Sequence, residues 1–499
     1  MSAPYADFEI AFDPPANGAY PVRITLEDGA RFRETLTLPL DDPAYLAIQP
    51  KLEYPDPGSP VSEDEILGLG ALLYKSLFKG EVRAAYQAAL ASAATKGQML
   101  RIKLEIEPEQ VEAAGIPWEF AADDAGFPLA TDHSFCRFLP RNAPLPALPV
   151  PADQTLTLLL GSALPKELAA DYPLDIDAEI NGIKQALAPL AEQGRLKIID
   201  APHLTGIKLQ RAIREQKPHL FHFIGHGILE GDTGALVLEK DDGSQQNLSG
   251  RQLAITLRNS SVRLVVLNAC KTGAVVTRLL RGIAPALMSA NVPAVVAMQS
   301  SVRDDAGRAF AEEFYRALAA GSPIDGCVAE GRKAVIACGL GNLDWGLATL
   351  YMRAPGGMLF DGLGGVAAPP ATEQPAAAQS TVAPEPKAAP TQSATGGSLI
   401  TSVEGANTIT GSTFTISNNA GQAPAAPQKR PLTKNELEEC AHLEKLLEHY
   451  RRSLRILEEQ VAQVGDQNAL IGQVNSISEF KTKIAAAEQR LAHYASIRI

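Results

Sequence analysis

From Gln154 to about Phe360, short runs of consecutive apolar residues alternate with stretches whose apolar positions recur every three or four residues. The runs TLTLLLG, RLKIID, HLFHFIGHG (219–227), VRLVVLNACKTG (262–273) and PAVVAMQ (293–299) read as strands. The periodic stretches predict helices over 176–192, 205–215, 250–258, 275–290, 305–319 and 323–337. Between them GALVLEKDDGSQQNLS (234–249) predicts a polar hairpin that turns at its Asp-Asp-Gly centre. Alternation of this kind specifies an α/β fold, a mostly parallel sheet with helices on both faces.

Upstream, FEIAFD, PVRITL and RFRETLTLPL (8–40) alternate with period two between Pro, Gly, Asn and Asp turn signals, which predicts a small antiparallel sheet. Helical spacing over 64–94 and the strand-like MLRIKLEIE (99–107) follow, and the proline-rich NAPLPALPVP (142–151) reads as a connector. The expected segmentation is a β-rich segment over 1–59, a β/α region over 60–151 and an α/β domain over 152–362. Next comes a low-complexity linker over 366–431, rich in Ala, Pro, Gln, Ser and Thr. Such a composition buries too little apolar surface to offset ordering entropy and predicts a disordered tether.

Inside that linker, SLITSVEGANTITGSTFTISNN (398–419) is rich in β-branched residues, suited to a flexible linker, to adding a strand, or to stacking on copies of itself. Over 432–499, Leu443, Leu447, Leu454 and Leu457, then Ile477, Ile484 and Leu491 beyond GDQNA (465–469), predict a helical hairpin with one apolar stripe per helix. Two helices alone bury little, so region 398–499 is expected to serve self-association or a regulatory protein.

The 499-residue chain has a formal charge of −12 and no long Lys or Arg run, which argues against direct nucleic-acid or anionic-membrane partners. It lacks a signal-peptide pattern and any apolar run of membrane-spanning length, so a cytoplasmic location is expected. Five cysteines (Cys136, Cys270, Cys327, Cys338 and Cys440) are scattered without CxxC spacing. Reduced thiols fit better than a disulfide framework or a metal site, and no nucleotide-binding glycine motif follows the first strand of the α/β domain. No cofactor is expected.

The chemistry lies at two strand ends. In an open α/β sheet the carboxyl ends of parallel strands share one crevice, so His226 and Cys270 are expected side by side. A thiolate attacks acyl carbon, and a nearby imidazole can take the thiol proton and later deliver it to a leaving amine. Gly225 and Gly227 permit a tight turn beside the imidazole, and backbone N–H groups of Gly227 and Cys270 can face an oxyanion. A single strand-end Cys or His is more often a core residue; the pairing is what points to catalysis. Cys136, Cys327, Cys338, His219 and His222 lack that context and read as structural.

Taken together, HFIGHG, the acidic hairpin, LVVLNAC, VPAVVAMQSSVRDDAGRAFAEEFYRALAAG (292–321) and LDWGLATLYMR (343–353) resemble the CHAT family of caspase-like cysteine peptidases, relatives of separase and gingipains. GLGALLYKSLF, LRIKLEIE and IPWEF extend the resemblance over about residues 60–360. It implies a caspase-hemoglobinase fold, a His226–Cys270 dyad, and hydrolysis of a dedicated protein substrate. Many bacterial members of the family act in defence or programmed death. The resemblance also implies that Asp304, or its neighbour Asp305, lines an S1 pocket for a basic P1 side chain; a helix N-cap is the alternative use of either. Asn268 stands where relatives with strong basic preference often carry an acid, which leaves P1 preference open. The long helical repeats common in the family are absent, which moves sensing to the carboxyl-terminal region. The alternative reading, a catalytically silent scaffold that binds a partner peptide in its crevice, has the intact dyad positions against it.

Overall fold

The computed structural model describes residues 5–363 except 54–60, 140–145, 152, 171, 231–232, 270–275, 299–302, 340–342 and 355, and a few positions between 447 and 495. In chain order the strands begin with β1 (Tyr5–Phe12), β2 (Tyr20–Leu26), β3 (Arg31–Leu36), β4 (Met99–Glu105) and β5 (Ser134–Phe138). A short β6 (Leu148–Pro149) precedes β7 (Leu156–Ser162), β8 (Leu196–Ala201), β9 (Leu220–Glu230), β10 (Thr233–Glu239) and β11 (Gln245–Ser249). The last are β12 (Leu264–Ala269), β13 (Ala294–Met298), β14 (Ala348–Met352) and β15 (Phe360–Asp361).

All but β6 and β15 belong to one mixed sheet in the order β11-β10-β9-β12-β13-β14-β5-β4-β1-β2-β3, with β7 and β8 joined to it beside β9. Strands β8, β7, β9, β12 and β13 are parallel neighbours in that spatial order. The chain therefore leaves β7 outward to β8 and returns to β9 on the other side, which makes the gap between β7 and β9 the switch point of the sheet. The predicted hairpin is present as β10 and β11, with Gly243 of its turn at φ +79°.

Helix Ile176–Glu192 starts at Asp175, whose carboxylate accepts the Ala178 N–H at 3.2 Å, and it buries Ile183, Ala186, Leu187 and Leu190. It packs on β8 and against Asp304–Ala319, which packs in turn on Ile324–Ala337, the helix that lies against β5 and β14. Gly250–Leu257, opened by a capping box between Ser249 and Gln252, packs against Val276–Ser289.

The antiparallel meander β1–β3 forms as expected, but it is not a separate sheet. The far edge of β1 pairs parallel with β4 (Phe8↔Ile102), so strands on both sides of the 142–151 connector share one sheet. A buried ion pair reinforces that union, Arg101 of β4 donating through Nε to Asp325 of the Ile324–Ala337 helix at 2.5 Å, and a second lies wholly before the connector, where Arg137 of β5 holds both carboxylate oxygens of Glu119.

Among the described residues no helix is long and apolar enough to cross a membrane. Residues 368–499 form a second unit. Among its described residues, Leu447 is buried against Ile484 and Leu491, and Arg451 pairs with Glu488 at 2.6 Å, contacts that join the two stretches predicted to be helical. The linker 366–431 and its patch 398–419 lie outside the described residues.

Candidate active site

His226 sits inside β9 and not at its end. The expected turn at Gly225–Gly227 is absent: Ile228 continues the strand against Ala235 of β10, and His226 pairs with Val237. What changes at this point is the partner. Along one edge β9 pairs with parallel β7 as far as Ile224↔Ser162, then with antiparallel β10 from Val237↔His226 onward. Gly225 serves close approach here: a Cβ would lie 2.6 Å from the Phe223 ring and 2.9 Å from the Ala163 carbonyl oxygen. His226 thus still lies where the parallel part of β9 ends, beside the switch point.

The imidazole is fully buried. Its Nε2 is 3.0 Å from the carbonyl oxygen of Tyr172, and the Tyr172 ring meets it edge-on at 6.2 Å between centroids. A carbonyl only accepts, so Nε2 carries the hydrogen and, in the neutral ring, Nδ1 carries the lone pair. Tyr172 belongs to the loop that follows β7, the loop that parallel topology delivers to this end of the sheet.

Strand β12 runs beside β9 with Val266↔His222, Asn268↔Ile224 and Ala269↔Gly225 in register. Cys270, the next residue, lies outside the described residues. Alternation puts Val266 and Asn268 on the same face as His222, Ile224 and His226. On that face Asn268 Nδ2 donates to Glu179 Oε1 at 2.8 Å, and His222 Nε2 approaches the same oxygen at 3.1 Å. His222 Nδ1 is 2.9 Å from the Tyr315 hydroxyl. Burial and then the Glu179 carboxylate push the Tyr315 hydroxyl well above the usual tyrosine range, so it remains an O–H donor. Tyr315 donates to Nδ1 and Nε2–H donates to Glu179, so both ring nitrogens of His222 are hydrogen-bonded inside the core. Asn268, expected beside the substrate, has its amide committed to Glu179.

Asp304 and Asp305 occupy the first turn of the Asp304–Ala319 helix, whose N-cap is Arg303 with no side-chain capping bond. Neither aspartate is therefore the N-cap. Asp305 takes both Arg303 nitrogens (2.7 and 3.1 Å) and the Ala306 N–H, and these bonds hold its carboxyl below the ordinary range. Gly307, one turn beyond Asp304, abuts the Asn268 amide, where a Cβ would lie 3.0 Å from Nδ2. That contact brings the start of the helix to the same region as Asn268. Arg308 also reaches back to Asp175 at 3.0 Å, joining this helix to the segment that carries Tyr172 and Glu179.

Sequence reasoning missed Tyr172, Glu179, Tyr315 and Asp344. Asp344 is nearly buried beside Arg303, and burial pushes its carboxyl up to about 6 against the lowering pull of Arg303. A Tyr172 contact made by backbone leaves no trace in side-chain identity. Glu179 did leave one, because it falls on the inner stripe of a helix between Ile176 and Ile183. Of the remaining described cysteines, Cys136 and Cys327 are buried, with thiols raised by burial (Cys136 to about 12), and Cys338 is exposed.

Residues 69–339 match the family described as CHAT domain. Among solved structures, a chain of the Saccharomyces cerevisiae separase-securin complex is similar at 13% identity and a TM-score of 0.37, over 69% of this chain and 30% of that one. The present chain thus spans less than a third of the length of that relative. No curated protein matches it.

Proposed function

Because this chain belongs to the CHAT domain family of caspase-like proteases, we propose that it is a cysteine endopeptidase that uses a His226–Cys270 dyad on a dedicated protein substrate. The observation that carries the reading is the register Ala269↔Gly225. Ala269 and Gly225 precede Cys270 and His226 in sequence, so the last paired rung of these two parallel strands falls immediately before both members of the proposed dyad.

In the proposed cycle His226 Nδ1 accepts the Cys270 thiol proton while Nε2–H stays on the Tyr172 carbonyl, which orients the ring and steadies the imidazolium. The thiolate attacks the scissile carbonyl carbon, and the oxyanion is assigned to the backbone N–H groups of Gly227 and Cys270. The imidazolium then protonates the departing amine. Water, deprotonated by the same nitrogen, hydrolyses the thioester and restores the thiol. Asp304, one turn from Gly307 and Asn268, is the candidate for pairing with a basic P1 side chain.

Full burial of His226 suits an enzyme held inactive until a regulatory protein or a second copy, engaged through region 398–499, acts on it. A place in bacterial defence or programmed death follows from the family alone. Mapping new protein N-termini in host cells tests the proposal. Expression of the full chain is expected to create N-termini following Lys or Arg that are missing with Cys270→Ala. Identical N-terminal profiles from the two chains under the activating condition would exclude a peptidase.

A further inference from the structure

One carboxylate oxygen reaches both β9, which carries His226, and β12, which ends one residue before Cys270. Glu179 Oε1 accepts from Asn268 Nδ2 at 2.8 Å and from His222 Nε2 at 3.1 Å. Asn268 stands two residues before Cys270 on β12, and His222 stands four before His226 on β9; the register pairs them with Ile224 and Val266, on the face that carries His226. The same segment that supplies Glu179 supplies the Tyr172 carbonyl that holds His226. One eight-residue segment, Tyr172 to Glu179, therefore touches His226 at one end and both β9 and β12 at the other.

The chemistry of this hub is specific. Glu179 is buried, and a buried carboxylate persists only where donors converge on it. His222 and Asn268 are those donors, and Tyr315 fixes the His222 tautomer that makes the first possible. Close packing leaves little slack: a Cβ at Gly307 would lie 3.0 Å from Asn268 Nδ2, and one at Gly182 would lie 2.5 Å from Glu312 Oε1. Of the titratable groups around it, His222 of β9 bonds Glu179 and Tyr315 of the Asp304–Ala319 helix bonds that imidazole, while Glu312 of the same helix abuts Gly182 and Arg308 pairs with Asp175 at the start of the Glu179 helix.

Resting on the dyad reading above, we infer that Glu179 is a positioning residue for catalysis. It ties β9 to β12 through His222 and Asn268, which holds the register of the two strands, and sets a buried carboxylate on the face of the sheet that carries His226. A carboxylate there favours the protonated form of both dyad groups. Its neutral isostere leaves the shape of the hub and removes the charge.

The test is the pH profile of Cys270 alkylation by iodoacetamide in the full chain, followed by peptide mapping, for the parent, Glu179→Gln, Asn268→Ala and His226→Ala. Glu179→Gln with parental melting is expected to shift the profile downward by half a pH unit or more. Asn268→Ala, which removes only the β12 arm and sits at a half-buried position, is expected to slow alkylation at least threefold at neutral pH. Should Glu179→Gln fail to fold, Asn268→Ala decides. Parental rates and profiles in folded variants at both positions would overturn the proposal. If His226→Ala also leaves Cys270 unchanged, the dyad itself falls; if His226→Ala alone alters the profile, the dyad stands and only the role of Glu179 is lost.

Discussion

His226 Nε2 and the carbonyl oxygen of Tyr172 lie 3.0 Å apart, and since the oxygen can only accept, this one contact assigns the tautomer of the ring. In the proposed cycle a backbone carbonyl takes the place that a carboxylate holds in a Ser-His-Asp arrangement and orients the ring without adding a charge. The expected outcome is a neutral His226 protonated at Nε2, read from the 15N shifts of the labelled protein in its neutral form. A ring protonated at Nδ1 would contradict the assignment of Nδ1 as the base.

Gly225→Ala tests the crowding at the point where β9 changes partner. The added methyl meets the Phe223 ring at 2.6 Å and the Ala163 carbonyl at 2.9 Å, so the strand must shift beside His226. A loss of about 1–3 kcal/mol in urea denaturation is expected, as for other overpacked sites. Parental stability would show that this stretch of β9 yields more easily than its packing implies.

The Arg137–Glu119 pair couples stability to acid. Burial alone would raise the Glu119 carboxyl, but the Arg137 guanidinium outweighs it and holds the group below the ordinary range. With the folded-state value depressed, the stabilisation is present above the unfolded carboxylate value of about 4.3 and is lost as pH falls below it. Denaturant titrations are expected to show a steeper acid loss for the parent than for Glu119→Gln. Arg137→Met, which leaves the carboxylate buried without its partner, is expected to cost about 3–5 kcal/mol at neutral pH.

Asp344 works in the opposite sense. Its carboxyl, raised to about 6 chiefly by burial, prefers the protonated form in the folded chain. The stability this gives is full below the unfolded value of about 3.9 and declines as pH rises through about 6. Asp344→Asn is therefore expected to melt above the parent at pH 7 to 8, by about 1–3 kcal/mol, and level with it near pH 4. A variant less stable than the parent at pH 8 would mean that the contact with Arg303 outweighs the burial of the charge.

Most of the architecture could be read from apolar spacing. Ile176–Glu192 was delimited to the residue, and Asp304–Ala319 to within one, because amphipathic stripes and flanking caps are local signals. Pairing partners are not local. Nothing in β1 announces that its second edge meets β4, and nothing in AVVAM and ATLYM announces that β13 and β14 run antiparallel. The same limit explains the misplaced end of β9: two glycines around His226 look like a turn, while the continuation through Ile228 depends on β10 folding back beside it. His226 reads as a strand end from the sequence, and the parallel pairing of β9 does stop just before it, whereas the Tyr172 carbonyl and the reach of Glu179 across two strands exist only once the chain is folded.

The central claim is that Cys270 is activated by His226, and the most direct measurement is labelling of the full chain by a peptidyl acyloxymethyl ketone with Arg at P1, mapped by mass spectrometry. Cys338, the exposed thiol among those described, serves as the internal control for general accessibility. The account predicts modification of Cys270 in preference to Cys338, reduced at least tenfold by His226→Ala. Labelling of Cys270 at the same rate with and without the imidazole, or no preference over Cys338 under the activating condition, would contradict it.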